Sequence, residues 1–170
     1  ACEKALLIDK DSPDALYLYA KACLGTDDVT NAIAMLTRAI LVKSDYADAY
    51  LLRGEVLLKE GRLDEADEDA VYLLEKYPDN EDILMLKAKI EKERGNVSAA
   101  IGCLDRVIDS NPFRMEAYKL RGELRMQTGD EASGQSDLEY ADELAKQQKD
   151  GQHEDIEQKT KEQYTNASII

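Results

Sequence analysis

Apolar residues recur along this chain at helical spacing, and single glycines and prolines separate the apolar stretches. In residues 47–80, ADAYLLRGEVLLKEGRLDEADEDAVYLLEKYPDN, Tyr50 and Leu57 fall on one face of a first helix. Gly61 supplies the left-handed conformation that ends this helix. A second helix follows and stops before Pro78, because proline cannot continue it. The pattern predicts a helical hairpin.

The same hairpin recurs with a period of 34 residues. Five interleaved series keep this spacing: Gly61, Gly95 and Gly129; Ala20, Gly54, Ala88 and Gly122; Ala32, Ala66, Ala100 and Gly134; Pro78 and Pro112; and Leu18, Leu52, Leu86 and Leu120. The predicted repeats are 13–46, 47–80, 81–114 and 115–148. Ser12 and Pro13 are a good start for the first helix, since a hydroxyl caps it and proline occupies its first turn.

Small residues on both helices of a hairpin predict close helix packing. Gly54 lies on a first helix and Ala66 on a second, so that the two helices can approach one another. Larger apolar residues would fill the space between hairpins, and we expect this of Leu57, Leu73, Leu104 and Val107.

The repeat resembles the tetratricopeptide repeat family, which has a 34-residue helix-turn-helix unit with small residues at fixed places and a late proline. The resemblance covers residues 13–148 and implies an all-α, right-handed superhelical solenoid of helix-turn-helix repeats. The sequence departs from the family where a leucine usually precedes the small residue of the first helix; that place holds Tyr19, Arg53, Lys87 and Arg121. Glu91 and Arg125 replace a large apolar residue, and the fourth repeat has Gly134 and Gln135 where alanine and isoleucine are usual.

The two ends fall outside the four repeats. Residues 1–12 align with the tail of a repeat, which predicts a truncated upstream repeat and hence a fragment or processed form of a longer protein. A lipoprotein in which Cys2 follows Ala1 is the alternative. Residues 149–170 break the period, and we expect a polar cap helix from about 152 to 165 and a frayed end.

Charge and composition narrow the function classes. The net charge is −14 and the pI about 4.5, which disfavours nucleic acid and anionic membranes as partners. No apolar run reaches 18 residues, so no membrane span is predicted. The sequence leaves the compartment open: the lack of a secretory leader pattern at residue 1 favours the cytoplasm, and an exported or lipid-anchored form is the alternative.

Catalytic and metal-binding patterns are missing from the sequence. The one histidine, His153, lies in the polar tail, and the glycines come singly rather than in a phosphate loop. Three cysteines without CxxC spacing predict neither a disulfide framework nor zinc; Cys23 and Cys103 are interpreted as core residues. The carboxylates at Asp64-Glu65 and Asp67-Glu68-Asp69 are expected on exposed helix faces. We therefore predict no enzyme, cofactor or metal site.

The family resemblance implies that first helices line a concave groove in which partners bind. It places there Tyr17, Lys21, Leu24, Leu51, Glu55, Leu58, Met85, Lys89, Lys92, Lys119, Glu123 and Met126. An acidic row flanks them, formed by Asp14, Asp48, Asp82 and Glu116. An apolar stripe with alternating charges suits an extended peptide or a helix with apolar anchors and some basic residues, unless the stripe is buried between neighbouring first helices.

The resemblance therefore predicts a protein-protein interaction module or scaffold. One branch of the family grips chaperone C-terminal carboxylates with Lys, Arg and Asn. The matching places here hold Tyr17, Lys21, Leu52, Asp82 and Leu86, or in the next frame Leu51, Glu55, Leu86, Glu116 and Leu120, so we do not expect chaperone tails as partners. A regulatory segment of a larger enzyme or receptor and a self-assembly module remain the alternatives.

Overall fold

The computed structural model describes residues 12–168, with side chains up to residue 165. Its described part is helical throughout. The helices are α1 (Pro13–Gly25), α2 (Val29–Val42), α3 (Ala47–Lys59), α4 (Leu63–Lys76), α5 (Glu81–Glu93), α6 (Val97–Ser110), α7 (Met115–Gln127) and α8 (Glu131–Ser168). The all-α helical repeat prediction is confirmed. The predictions for residues 1–11, including the truncated repeat and Cys2, lie outside the described residues.

Consecutive helices pair into hairpins α1–α2, α3–α4, α5–α6 and α7–α8. The chain divides into two compact units, residues 1–110 with α1 to α6 and residues 111–170 with α7 and α8. In the first unit, each second helix also packs on the first helix of the next hairpin, and α3 touches α5 directly. Hairpins in this unit are thus stacked side by side.

Each hairpin turn uses one backbone conformation. The predicted left-handed glycines have φ of 74° at Gly61, 79° at Gly95 and 86° at Gly129. In the first hairpin the same place is taken by Asp27, with φ of 58°. The following residue then donates its N–H back to a carbonyl five residues earlier, as from Arg62 to Leu57 at 2.9 Å. This bond satisfies a carbonyl that the helix end would otherwise leave unpaired.

The predicted cap at Ser12 is confirmed, and the start of α2 is capped as well. Ser12 Oγ accepts a hydrogen bond from the Ala15 N–H at 3.4 Å, and Asp28 accepts one from Asn31 at 3.4 Å. Arg62 makes no side-chain cap. The second helices α4 and α6 stop before Pro78 and Pro112, as expected.

The core runs between hairpins. The residues expected to fill that space are buried: Leu57 is 2% exposed, and Leu73, Leu104 and Val107 are 0% exposed. Leu57, Ala66 and Ala70 of the second hairpin share one apolar cluster with Leu86 and Ile90 of the third. A methyl group added at Gly54 would lie 2.8 Å from Leu86 Cδ2 and 3.7 Å from the Ala66 carbonyl oxygen. Gly54 therefore serves both its own hairpin and the contact with the next one.

The last helix differs from its prediction. α8 continues from Glu131 to Ser168 as one helix of 38 residues, and no separate cap helix begins near residue 152. A glycine inside a helix costs only about 1 kcal/mol relative to alanine, and Gly151 does not adopt a positive φ. Local pairs such as Gln158 with Glu162, at 3.3 Å, support the exposed extension.

Candidate functional site

The first-helix residues predicted to form a groove differ in exposure. Within the first unit, Lys21 and Glu55 are exposed. Six others are half-buried, namely Tyr17, Leu24, Leu51, Leu58, Lys89 and Lys92. Met85 is only 2% exposed, so the expectation that it faces solvent is wrong. The reason is its place on α5, which packs against helices on several sides.

The half-buried apolar residues divide between two clusters. Tyr17 and Leu24 pack against the core of the first hairpin. Leu51 and Leu58 pack against the cluster that the second and third hairpins share. Each side chain thus anchors its helix with one part and leaves another part accessible, so these four can contribute to packing and to binding at once.

Tyr17 is held in place by its neighbours. Its ring lies 5.6 Å from the ring of Tyr46, and the Lys21 ammonium lies 5.1 Å from its centroid. The Tyr46 hydroxyl donates a hydrogen bond to Asp14 at 2.9 Å. Burial, together with this carboxylate, raises the pKa of Tyr46 far above its usual range. The phenol therefore remains a donor, and Tyr17 presents a fixed aromatic face.

The acidic row is explained at least in part by helix electrostatics. Asp14, Asp48, Asp82 and Glu116 are the second residues of α1, α3, α5 and α7, and all four are exposed. A carboxylate in a first turn gains about 0.3–1 kcal/mol from the helix dipole. Their repetition therefore has a structural cause whether or not they meet a partner.

One cavity of about 220 Å³ lies where part of this row meets the groove. It is formed at the starts of α3 and α5, the end of α4 and the loop after α4, and is lined by Ala47, Asp48, Leu51, Leu73, Tyr77, Asn80, Asp82 and Ile83. Leu51 is the predicted groove residue that lines it. The sequence pattern gave no signal for Tyr77, which lies in the connection between hairpins, or for Ile83, the third residue of α5.

Three of the predicted groove residues, Lys119, Glu123 and Met126, belong to the second unit. Lys119 is exposed and Glu123 is half-buried. Met126 is 39% exposed, and its thioether lies 2.9 Å from a methyl group added at Gly134. Gly134 thus makes room for Met126, and α7 and α8 approach closely there.

Charged residues at the places where the family has apolar ones form ion pairs inside the hairpins. Arg53 donates two hydrogen bonds to the Asp69 carboxylate, at 2.8 and 2.6 Å. Arg121 and Asp137 repeat the arrangement at 2.9 and 2.8 Å, and Arg125 joins them at 2.7 Å. Asp69 is 3% exposed, so the expectation that this carboxylate faces solvent is wrong. We call these two groups the Arg–Asp clasps.

Aromatic residues accompany both clasps. Tyr50 stacks on Tyr72 with centroids 4.2 Å apart, and Tyr118 meets Tyr140 edge-on at 4.7 Å. The guanidinium of Arg53 lies 5.5 Å from the Tyr50 ring, and that of Arg121 lies 5.5 Å from Tyr118. The second repeat and the fourth thus share two tyrosines, an arginine and an aspartate at positions two repeat periods apart. A comparison of alternate repeats in the sequence would have revealed this set.

In the third repeat, the charged residue at the place of Arg53 and Arg121 is Lys87, and it has different partners. Sixteen residues after Lys87, where the other two repeats have an aspartate, the sequence has Cys103. The Lys87 ammonium instead contacts Asp67 at 2.5 Å and Glu91 at 3.0 Å. Arg94 also contacts Asp67, at 2.9 Å. Asn96 donates to Glu91 at 2.8 Å. This ion-pair network joins α4 to α5, so Asp67 is not the surface carboxylate that the sequence suggested.

The network lowers the pKa of two carboxyl groups. Burial alone would raise the pKa of Asp67, but hydrogen bonds from Lys87 and Arg94 outweigh it and hold the pKa below its usual value. The Asn96 amide lowers the pKa of Glu91 against the effect of burial, and Lys87 adds to the lowering. Both groups are therefore ionised at neutral pH and stabilise the contact between the hairpins.

Chemistry-bearing clusters are sparse in residues 12–168. No group of three or more His, Cys, Asp or Glu side chains there could hold a metal ion. None of the helices in this range combines the length and apolarity needed to cross a bilayer. Neither Cys23 nor Cys103 forms a disulfide within the described residues, and burial raises the pKa of the Cys103 thiol.

The comparison with known protein families agrees with the repeat in the sequence. Two family models described as tetratricopeptide repeat match residues 24–81 and 57–124, together more than half of the chain. The human protein "DnaJ homolog subfamily C member 3" is 29% identical over 151 residues, which cover 80% of this chain and 30% of that protein. Its chicken counterpart is 27% identical with the same coverage. The chain thus spans less than a third of the length of these relatives.

Solved structures share the fold. A crystal structure of MamA superposes with a TM-score of 0.77 at 17% identity and covers 88% of both chains. MamA from Desulfovibrio magneticus RS-1 gives a TM-score of 0.76 at 17% identity, covering 84% of this chain and 81% of that one. A tetratricopeptide repeat protein from Parabacteroides merdae gives 0.67 at 21% identity, covering 74% and 50%. At these identities the likeness concerns architecture alone.

Proposed function

The chain belongs to the tetratricopeptide repeat family, and from this premise we propose that it is a protein-binding module that holds an extended peptide or a helix along its first helices. In the first unit the binding surface consists of Tyr17, Lys21, Leu24, Leu51, Glu55, Leu58, Lys89 and Lys92. We call it the first-helix surface. Met85 supports this surface from below rather than touching the partner.

The observation that carries the proposal is the mixture of exposure and charge on α1, α3 and α5. Half-buried apolar side chains are fixed by the core, and the exposed charges alternate in sign from Lys21 to Glu55. Fixed apolar groups lower the entropy lost on binding, and alternating charges set the register of the bound segment. A partner with apolar anchors and mixed charges complements such a surface.

A charge swap tests the proposal. Short peptides selected from a displayed random library on the wild-type protein serve as probes. Exchanging the charges by Lys21→Glu with Glu55→Lys keeps the net charge and changes only exposed positions, so the helical fold should be retained while the contact of Lys21 with the Tyr17 ring is lost. We expect about tenfold weaker binding, or about 1.4 kcal/mol.

The matched control is a second swap of the same size. Glu143→Lys with Lys146→Glu exchanges two exposed charges on α8. Affinity should stay within about twofold, a change of less than 0.5 kcal/mol on the scale of about 1.4 kcal/mol per tenfold. Loss of binding with the α8 swap and not with the first-helix swap would contradict the proposal.

The length of the relatives favours a second candidate. Because the chain covers 30% of each DnaJ homolog subfamily C member 3, it can serve as the regulatory repeat segment of a larger protein. The binding surface is then the same, and the partner segment belongs to the same polypeptide. Sequencing the complete gene and finding a further domain with such a segment would support this reading, and its absence would remove it.

A further inference from the structure

We propose that the 220 Å³ cavity between the starts of α3 and α5 receives one lysine or arginine side chain of the bound partner. This inference rests on the proposed function and specifies one contact within it. The size of the cavity is the first argument, since pockets for drug-sized ligands measure about 300–1,000 Å³. A cavity smaller than that range suits a single side chain rather than a separate small molecule.

The lining has the two parts that a long basic side chain needs. Leu51, Leu73, Ile83 and Ala47 supply apolar walls for the methylene stem, and the exposed carboxylates of Asp48 and Asp82 can reach the charged head. Lysine and arginine commonly bury their stems on apolar surface while the charge stays near water or a carboxylate. Among the described residues that line the cavity there is no Lys, Arg or His.

Backbone electrostatics act in the opposite direction and are too small to reverse the sign. The starts of α3 and α5 each bring about half a positive charge, and the end of α4 brings about half a negative charge. The full negative charge of Asp48 alone exceeds this net half charge, and Asp82, which also has an interaction partner within the chain, adds to it. The nearby guanidinium of Arg106 is matched by Asp79, at 3.4 Å, and by the Pro78 carbonyl. The cavity therefore favours a cation.

The occupant reaches the cavity from the first-helix surface. Leu51 belongs to both, so a segment lying across α3 passes the cavity mouth. A basic residue there would add a charge contact to the apolar anchoring on Leu51 and Leu58. The partner class is accordingly an extended segment with a basic residue next to an apolar one.

A double-mutant cycle tests this contact with the library-selected peptides. Each Lys or Arg of a peptide is replaced in turn by norleucine, and affinities are measured for the wild type and for Asp48→Asn with Asp82→Asn. One basic residue should account for about tenfold of the affinity on the wild type and for less than about twofold on the variant. Glu68→Gln with Glu75→Gln removes the same charge from the exposed side of α4 and should leave the peptide effect intact.

A second variant tests the cavity without changing charge. Ala47→Leu places a larger side chain into the cavity and should weaken the basic peptide as strongly as norleucine does, with helicity retained. If peptides bind but no basic residue couples to the two aspartates, or if Ala47→Leu has no effect, the cavity assignment is wrong and the proposed function stands. If no peptide binds the protein at all, both are wrong.

Discussion

At the scale of single residues, the departures from the family pattern explain one another. An arginine where the family has leucine would leave a charge partly buried, which is costly without a partner. Asp69 and Asp137 supply that partner sixteen residues later, across each hairpin. The sequence showed Arg53 and Arg121 as exceptions and gave no pairing, because charge pairs across a hairpin depend on which faces of the two helices meet.

Removing one partner of an Arg–Asp clasp should lower the unfolding free energy more than replacing both partners with apolar residues. Asp69→Ala leaves the Arg53 guanidinium, 19% exposed, without its carboxylate, and we expect a loss of about 2–4 kcal/mol of unfolding free energy. The double variant Arg53→Met with Asp69→Leu should lie within about 1 kcal/mol of the wild type, because no charge stays buried. Urea unfolding measures both. Equal losses for the single and double variants would show that the clasp contributes through shape alone.

Among the four described hairpin turns, the one without glycine offers a stabilising change. Asp27 has a φ of 58°, where the other three hairpins have glycine. Asp27→Gly should therefore stabilise the first hairpin by about 0.5–1 kcal/mol by removing left-handed strain. Replacing a turn glycine in another hairpin, by Gly95→Ala, should lower the stability by a similar or larger amount. A lower melting temperature for Asp27→Gly would mean that the aspartate stabilises the turn by other contacts.

At the scale of helices, two glycines share a register and differ in surroundings. A methyl group at Gly54 meets the end of the flexible Leu86 side chain at 2.8 Å, whereas one at Gly122 meets the Gly134 backbone oxygen at 2.9 Å and Leu138 Cγ at 2.9 Å. Alanine gains about 1 kcal/mol over glycine in helix propensity. The net effect thus depends on whether the neighbour can move.

We expect Gly54→Ala to be nearly neutral and Gly122→Ala to destabilise by about 1–3 kcal/mol, because the backbone of α8 has to shift. Gly54→Leu adds a whole side chain at the same place and should destabilise by about 1–3 kcal/mol as well. Thermal unfolding distinguishes the cases. A larger loss for Gly54→Ala than for Gly122→Ala would contradict the packing described here.

The length of α8 shows the limit of a local sequence pattern. Gly151 and the loss of the repeat period indicated a break, yet the residues around it are good helix formers and no proline intervenes. Turn glycines at Gly61, Gly95 and Gly129 were identified correctly because the repeat places each before a new amphipathic stretch. A glycine without such a stretch after it carries much less information.

At the scale of the whole molecule, the period predicted the fold and the buried residues, while the binding surface stays a proposal. A strict period of 34 residues limits the chain to hairpins and fixes which positions face inward. It does not reveal that Met85 is buried or that Tyr77 and Ile83 line a cavity, because those depend on how neighbouring hairpins stack. The repeat boundaries and the groove membership of individual residues remain predictions.

Acid should weaken the joint between the second and third hairpins. Asp67 and Glu91 have folded-state pKa values below their usual ones, so their contribution is present above the unfolded-state pKa of about 4 and is lost as pH falls through the lower folded-state values. The melting-temperature difference between wild type and Asp67→Asn should be large at pH 6 and shrink towards pH 3.

The neighbouring carboxylate provides the control for this pH experiment. Asp64 also contacts Arg94, but its side chain is 96% exposed against 19% for Asp67. Asp64→Asn should therefore lower the melting temperature little, with little pH dependence. If both variants follow the wild type at every pH, the network does not stabilise the joint.

The most direct test of the central claim locates a bound peptide by NMR of methyl-labelled protein. Leu24, Leu51 and Leu58 report on the first-helix surface, and the exposed Leu41, Val42 and Val71 on second helices provide internal controls. On titration with a library-selected peptide, we predict that the methyl signals of Leu24, Leu51 and Leu58 shift while those of Leu41, Val42 and Val71 stay in place. Shifts confined to Leu41, Val42 and Val71 would contradict the account and place the partner on the second helices.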